Sequence, residues 1–319
     1  MKPLNHLEII LTLAPALFFT IQMANAHSMS NESGTHVSNM GPSDCSEMLL
    51  WDYEMGMCMP VAMTDMASTT MLMVHGNAFG VSTTEQGPRG RRAITSPNMI
   101  MTDIGHQFGD SHFVNLDLMA TFEKWTFPER GYPELLQIGE NDAQGAPYLD
   151  AQHPHNSPLM GLTLSDTIRI GERGTSLKLF FAPRGSSTDG PIPFMHRPTG
   201  MVNPDAPLGH HIGQDVGHIS STVMGGSLKL CDFRFEASLF NGTEPEPTKV
   251  NLPLATPNSE AFRIIYEFTP MLQAMASIAY IRDPESPQPD ITFEIRRSLS
   301  VYLQHKVFES WTLHHAFIH

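Results

Sequence analysis

Cysteine is scarce in this chain of 319 residues: three occur, at positions 45, 58 and 231. Cys45 and Cys58 stand close enough to close a small disulfide loop in an oxidising compartment, which leaves Cys231 over. Positive charge is short as well, with 19 Lys and Arg against 33 Asp and Glu and a formal net charge of −14. No basic stripe exists to neutralise phosphates, which argues against nucleic acid as a partner. No apolar run reaches the roughly 20 residues that a membrane-spanning helix requires, and no stretch has convincing helical periodicity. The chain also lacks a Gly-X-Ser-X-Gly elbow, a His-Glu-X-X-His helix and any dinucleotide or phosphate loop.

What is present begins with an export address. Lys2 precedes the apolar run Ile9 to Ile21, and the small-residue tripeptide Ala24-Asn25-Ala26 follows it. That order of charged, apolar and cleavage regions predicts a secretory signal peptide over residues 1–26. The run is too short to span a bilayer as a helix, and Pro15 interrupts it. Residues 27–69 lack a periodic apolar pattern and are rich in Ser, Asn, Gly, Thr and Met, so a flexible Met/Cys-rich segment is expected there.

From about residue 70 the pattern turns to period two, the mark of strands with one apolar face. Val114, Leu116, Leu118, Ala120 and Phe122 alternate with Asn115, Asp117, Met119, Thr121 and Glu123. Phe233, Phe235, Ala237 and Leu239 oppose Asp232, Arg234, Glu236 and Ser238, and Asn241-Gly242 ends that run. Leu272, Ala274, Ala276, Ile278 and Tyr280 form a third apolar face. The longest alternation sets Ile291, Phe293, Ile295, Leu299, Val301 and Leu303 against polar neighbours, with Arg297 as its exception. Weaker strands fit Met71–Val81, Leu162–Ile170, Ser176–Ala182, His218–Leu230 and Ala261–Phe268. Strands of about 10 residues joined alternately by tight turns and long polar loops suit an all-β, antiparallel transmembrane β-barrel over 70–319. A soluble β-sandwich of the periplasm is the alternative.

A set of phrases in fixed order carries a family resemblance. They are Trp51-Asp52-Tyr53, Met57-Cys58-Met59-Pro60, His75-Gly76-Asn77-Ala78-Phe79, Gly87-Pro88-Arg89-Gly90, Arg130-Gly131-Tyr132-Pro133 and Leu135-Leu136-Gln137-Ile138-Gly139-Glu140. Asp150-Ala151-Gln152-His153-Pro154-His155, Phe194-Met195-His196-Arg197 and Ser238-Leu239-Phe240-Asn241-Gly242 complete the set. Together they resemble a largely uncharacterised bacterial family of outer-membrane β-barrel proteins with a Met/His-rich N-terminal segment. The resemblance covers nearly the whole chain after residue 26 and implies a fold and a location more than an activity. In architecture alone the chain is also similar to copper-resistance outer-membrane proteins of the B type. The stop at Ala316-Phe317-Ile318-His319 departs from the terminal aromatic strand usual in such barrels, and the family runs longer. A barrel incomplete at its C-terminal end is the corresponding expectation.

Chemistry concentrates in methionine and histidine, present at 21 and 16 copies. Cys45, Met55, Met57, Cys58 and Met59 offer soft thioether and thiolate donors that suit Cu(I). A Cys45–Cys58 disulfide would leave thioethers only. His153 and His155 flank Pro154, and in extended backbone both imidazoles project to one side. His196, His210, His211 and His218 could join them in a barrel interior, with Asp150 and Asp215 behind them. The expected function is therefore non-enzymatic handling of a soft metal, copper first, by a protein seated in outer-membrane lipid. Two rivals stand beside it: a lipid hydrolase with His155 as base and a loop serine as nucleophile, and a structural or adhesion barrel. Export is checked by the intact mass of the secreted chain, which should begin at His27.

Overall fold

A computed structural model describes residues 16–23, 49–52, 57–60, 70–84, 92–127, 157–170, 175–193, 196–197, 219–243, 249–252, 254–269, 271–284, 292–308 and 311–319. For residues 16–23, 49–52 and 57–60 the description is of the backbone. Among these residues the chain is almost wholly β. The elements in order are β1 (Ala16–Met23), β2 (Leu49–Asp52), β3 (Met57–Pro60), β4 (Thr70–Phe79), β5 (Val81–Thr84), β6 (Arg92–Thr95), β7 (Asn98–Phe108) and β8 (His112–Ala120). A single helical turn, α1 (Glu123–Thr126), comes next. Then come β9 (Leu159–Arg169), β10 (Ser176–Gly185), β11 (Ser220–Leu230), β12 (Phe233–Asn241), β13 (Ser259–Thr269), β14 (Leu272–Arg282), β15 (Phe293–Phe308) and β16 (Trp311–Ile318).

Twelve strands form one antiparallel sheet in the order β1-β4-β7-β8-β9-β10-β11-β12-β13-β14-β15-β16. From β7 onward every strand pairs with its neighbour in sequence, a plain up-and-down meander. Two small hairpins, β2–β3 and β5–β6, stand apart from it. Among the described residues no ladder joins β1 to β16, so the sheet has two edges and a closed barrel is not formed. The expected leader contributes β1, paired from Ala16 opposite Phe79 to Met23 opposite Leu72.

The alternations seen in the sequence occupy strands, except that the run expected to reach Glu123 leaves β8 at Ala120, where Glu123 opens α1, and that Ile291 lies outside the described residues; the sheet sorts their faces. Connections at 109–111, 170–175, 231–232, 270–271 and 309–310 are short and lie at one end of the strands. Those at 80–97, 121–158, 186–219, 242–258 and 283–292 are longer and lie at the other. Cys231 takes φ 53° in the short β11–β12 turn, where its thiol is free and exposed.

Burial is inverted relative to a soluble sheet. Leu239, Phe262 and Ile295 are 49%, 44% and 52% exposed, while Glu236 and Arg263 on the other face are each 2% exposed. The Arg263 Nε donates to Glu236 Oε2 at 2.6 Å, and Arg234 Nε stands 3.6 Å from Glu236 Oε1. Buried charge is tolerable only when paired in this way.

The sheet curls around this polar face. Ile192 packs with Ile265 and Met275, and Tyr302 lies against the group, while His196, four residues on, couples electrostatically to His75 on β4. In a flat sheet β4 and the β15 strand bearing Tyr302 would lie nine strand steps apart, about 43 Å at ~4.8 Å per step. Four residues of chain reach at most about 14 Å, so the walls must bend toward each other.

The Glu236→Ala variant removes the carboxylate that pairs with the buried Arg263 guanidinium and should lose about 3–5 kcal/mol of stability. Urea unfolding followed by tryptophan fluorescence measures it. A loss below about 1 kcal/mol would indicate a solvated pair and contradict the enclosed inner face.

Candidate functional site

The inner face is a polar interior with a loop laid into it. Inward positions carry Lys229, Arg234, Glu236, Arg263, Glu267, Glu294 and Arg296, because each alternates with an outward apolar neighbour on its strand. Lys229 Nζ donates to Glu267 Oε2 at 3.2 Å near the short-turn end. Farther along, Arg296 donates through Nε to Glu294 Oε1 and through Nη1 to Asp189 Oδ2, both at 2.9 Å.

Asp189 belongs to the segment that leaves β10. Ser187, Thr188, Asp189 and Ile192 of this segment are buried. The Thr188 N–H donates to Ser238 Oγ at 2.9 Å, and its hydroxyl donates to the Ala261 carbonyl at 3.1 Å. Arg263 Nη1 reaches the Gly190 carbonyl at 3.5 Å. Burial pushes the Asp189 carboxyl above the ordinary aspartate range, and the Arg296 guanidinium pulls it back. The loop is therefore pinned inside by side chains of β12, β13 and β15, and it occupies space that would otherwise be open.

On the far side of the interior, β4, β7, β8 and β9 bring methionines together. Met101 lies opposite His75 on β4 and opposite Met119 on β8. The β8–β9 register shifts between Met119, opposite Gly161, and Ala120, opposite Leu159. Met160 is the extra residue at this bulge, and both Met160 and Gly161 turn inward and are buried. Bulges re-aim side chains in this manner. Met101, Met119, Met160 and Ile219 form one buried cluster with Met99 against it. His75 is 5% exposed, and neither of its ring nitrogens has a hydrogen-bond partner.

Of the residues the sequence singled out for metal, His196 lies beside this patch, close enough to couple to His75. Met57, Cys58 and Met59 lie on β3, where Trp51 pairs with Cys58 and Asp52 with Met57. Cys45, Met55, His153, His155, His210 and His211 lie outside the described residues, as do His218, Asp150 and Asp215. The Cys45–Cys58 pairing falls there too. Among the described residues no three His, Cys, Asp or Glu gather as a metal-binding group. Sequence reasoning passed over His75, Met101, Met119 and Met160. Alternation on β4 does put Met71, Met73 and His75 on one face, but the partners on β7 and β9 depend on register.

The outward face is apolar and grooved. Met224, Ala237, Leu239, Phe262, Ile278 and Ile295 line a depression of about 570 Å³. Aromatic rings collect at both ends of the strands. Phe233 and Phe268 each lie 4.6 Å from Tyr266 near the short turns, and Tyr280 lies 5.7 Å from Phe293 at the opposite end. His112 and Asp166 meet at 2.8 Å on this face, between strands whose neighbouring outward residues are Val114 and Ile168. Ser165 of β9 points to the inner face and is buried.

Comparison with family models, with curated proteins and with solved structures finds no match. The functional reading rests on the geometry.

Asp189→Ala removes the charged one of the inward pins and leaves Arg296 with Glu294 as its acid. Limited proteolysis within 186–219 should then accelerate by about tenfold or more, because local opening becomes easier by well over 1 kcal/mol on this scale. Unchanged cleavage would show that the loop is held by other contacts.

Proposed function

We propose that this chain is an exported outer-membrane β-barrel protein whose loop-filled interior binds and handles a soft metal, copper foremost. The observation that carries the membrane seat is the inversion of burial. Leucine, isoleucine and phenylalanine cover the open face, while arginine, glutamate and aspartate are buried on the enclosed one beside small apolar clusters. In water such a surface would be a large aggregation liability, whereas hydrocarbon solvates it.

Three further features favour the same reading. Nine of the eleven strands that the large sheet holds from β4 onward have 9–11 residues, the length that crosses a bilayer when tilted. Aromatic side chains lie at both ends of the apolar band, where the two lipid–water boundaries would fall. Short turns at one end and long loops at the other match the periplasmic and external sides of such a protein. Arg297 is outward-facing and exposed, opposite Ile278, and its long stem can carry the guanidinium toward the rim. On this topology the Met/Cys-rich segment before β4 sits on the periplasmic side. With the leader removed, β4 becomes a free edge that a further strand would have to meet for the barrel to close.

Soft-metal handling is favoured by the abundance of methionine together with its inward concentration beside His75 and His196. The hydrolase and adhesion readings gain no comparable support from the described residues.

Two experiments test the membrane seat. The expressed protein should fractionate with the outer membrane and migrate differently on gels before and after boiling; recovery as a soluble periplasmic species would sink the proposal. Ile264 faces outward near the middle of β13, so Ile264→Arg should cost about 2–4 kcal/mol in a bilayer. In a soluble sheet the same exposed arginine would be nearly neutral.

A further inference from the structure

We infer that the inner wall formed by β4, β7, β8 and β9 carries a Cu(I) site, with His75 as nitrogen donor and Met101 as the nearest thioether donor. The site deepens the soft-metal reading and rests on it. It places the ion inside the sheet, apart from the Met/Cys-rich segment before β4.

The first support is position. His75 and Met101 are directly opposed on one face, and such pairs have Cβ atoms about 4.5–5.5 Å apart, within reach of a shared ion. Met119 follows Met101 directly across the next ladder, and the bulge brings Met160 into the same group. Gly161 lies opposite Met119, and a Cβ built there would stand in ordinary contact with it, 3.4 Å from the Met119 Cβ and 3.8 Å from its methyl carbon.

The second support is the state of His75. A buried imidazole normally hydrogen-bonds through its ring nitrogens, and leaving a polar group unsatisfied costs about 1–3 kcal/mol. Both nitrogens of His75 are buried without a partner, so a nitrogen lone pair is available inside a dry, sulfur-lined patch.

The third is composition. The other large buried group on the inner face holds Ala182, Val223, Phe240, Ala261, Ala279 and Ile281 and no methionine. Elsewhere on the inner face a single methionine, Met275, joins a buried group, whereas three of the four members of the His75-side cluster are methionine. Thioether and imidazole donors without a gathered carboxylate or thiolate group select Cu(I) over zinc or harder ions.

The test is anaerobic titration of the full chain in detergent with Cu(I), in competition with a chromophoric Cu(I) chelator. X-ray absorption of the loaded protein accompanies it, and boiled and unboiled gel mobility controls for folding. Wild type should hold Cu(I) in a mixed nitrogen–sulfur shell. Met101→Leu, nearly equal in volume, and His75→Leu should each weaken that binding by at least the roughly 10–100-fold seen when only a ligand's neighbour is lost. A combined Met55→Leu, Met57→Leu, Met59→Leu variant should keep this shell. If wild type binds Cu(I) but Met101→Leu and His75→Leu bind it equally well, or if the shell holds sulfur alone, the inner site is wrong and the soft-metal reading survives. If wild type takes up no Cu(I), both are wrong.

Discussion

The constraint on which this structure depends is the antiparallel ladder running from β4 to β16 without a parallel step. Once each strand is paired on both sides, side chains can point in only two directions, and alternation decides everything that follows. A slip of one residue would send Glu236 and Arg263 outward and Phe235 and Ile264 inward. The direct opposition of Glu236 and Arg263, closed by a 2.6 Å hydrogen bond, resists that slip.

Charge on the concave face has to be compensated internally, and the molecule does so in groups. Lys229 with Glu267, the Arg234–Glu236–Arg263 group, and Glu294–Arg296–Asp189 succeed one another across β11, β12, β13 and β15. The last group borrows its second acid from the loop after β10. Electrostatics and loop placement are thus one problem: the loop sits inside because Arg296, Ser238 and Ala261 hold it there, and Arg296 tolerates burial because the loop delivers Asp189.

The same concavity separates two chemistries. One side of the interior is an ionic ladder touched by the loop; the other, around β4 and β7, is methionine-rich and holds a buried imidazole. His196 lies near the junction, since its segment passes from Ile192 on the ionic side toward His75. A ligand at the methionine side would therefore lie next to the segment that fills the interior.

Much of this was legible in the order of residues. Period-two runs at Phe113–Glu123, Phe233–Leu239, Leu272–Tyr280 and Ile291–Leu303 mark four strands and their apolar faces, and the same alternation puts Glu236, Glu294 and Arg296 on the polar side. Seven strands were not legible: β1 falls in the expected leader, β2 and β3 in the expected flexible segment, β5 and β6 are only four residues each, and β7 and β16 hide their alternation. In β7 the outward face includes Thr102 and His106 and the inward face Met99 and Met101, so polarity does not alternate; β16 carries histidine on both faces. Alternation is a local property, written two residues at a time, and the sequence alone determined the all-β class and the sidedness of β8, β12, β14 and β15. Tertiary structure decided which inward residues meet, because the His75–Met101 opposition, the bulge at Met160 and the reach of Asp189 to Arg296 join parts of the chain up to 107 residues apart. Those contacts arise from register and curvature, which belong to the whole sheet and to no single stretch of it.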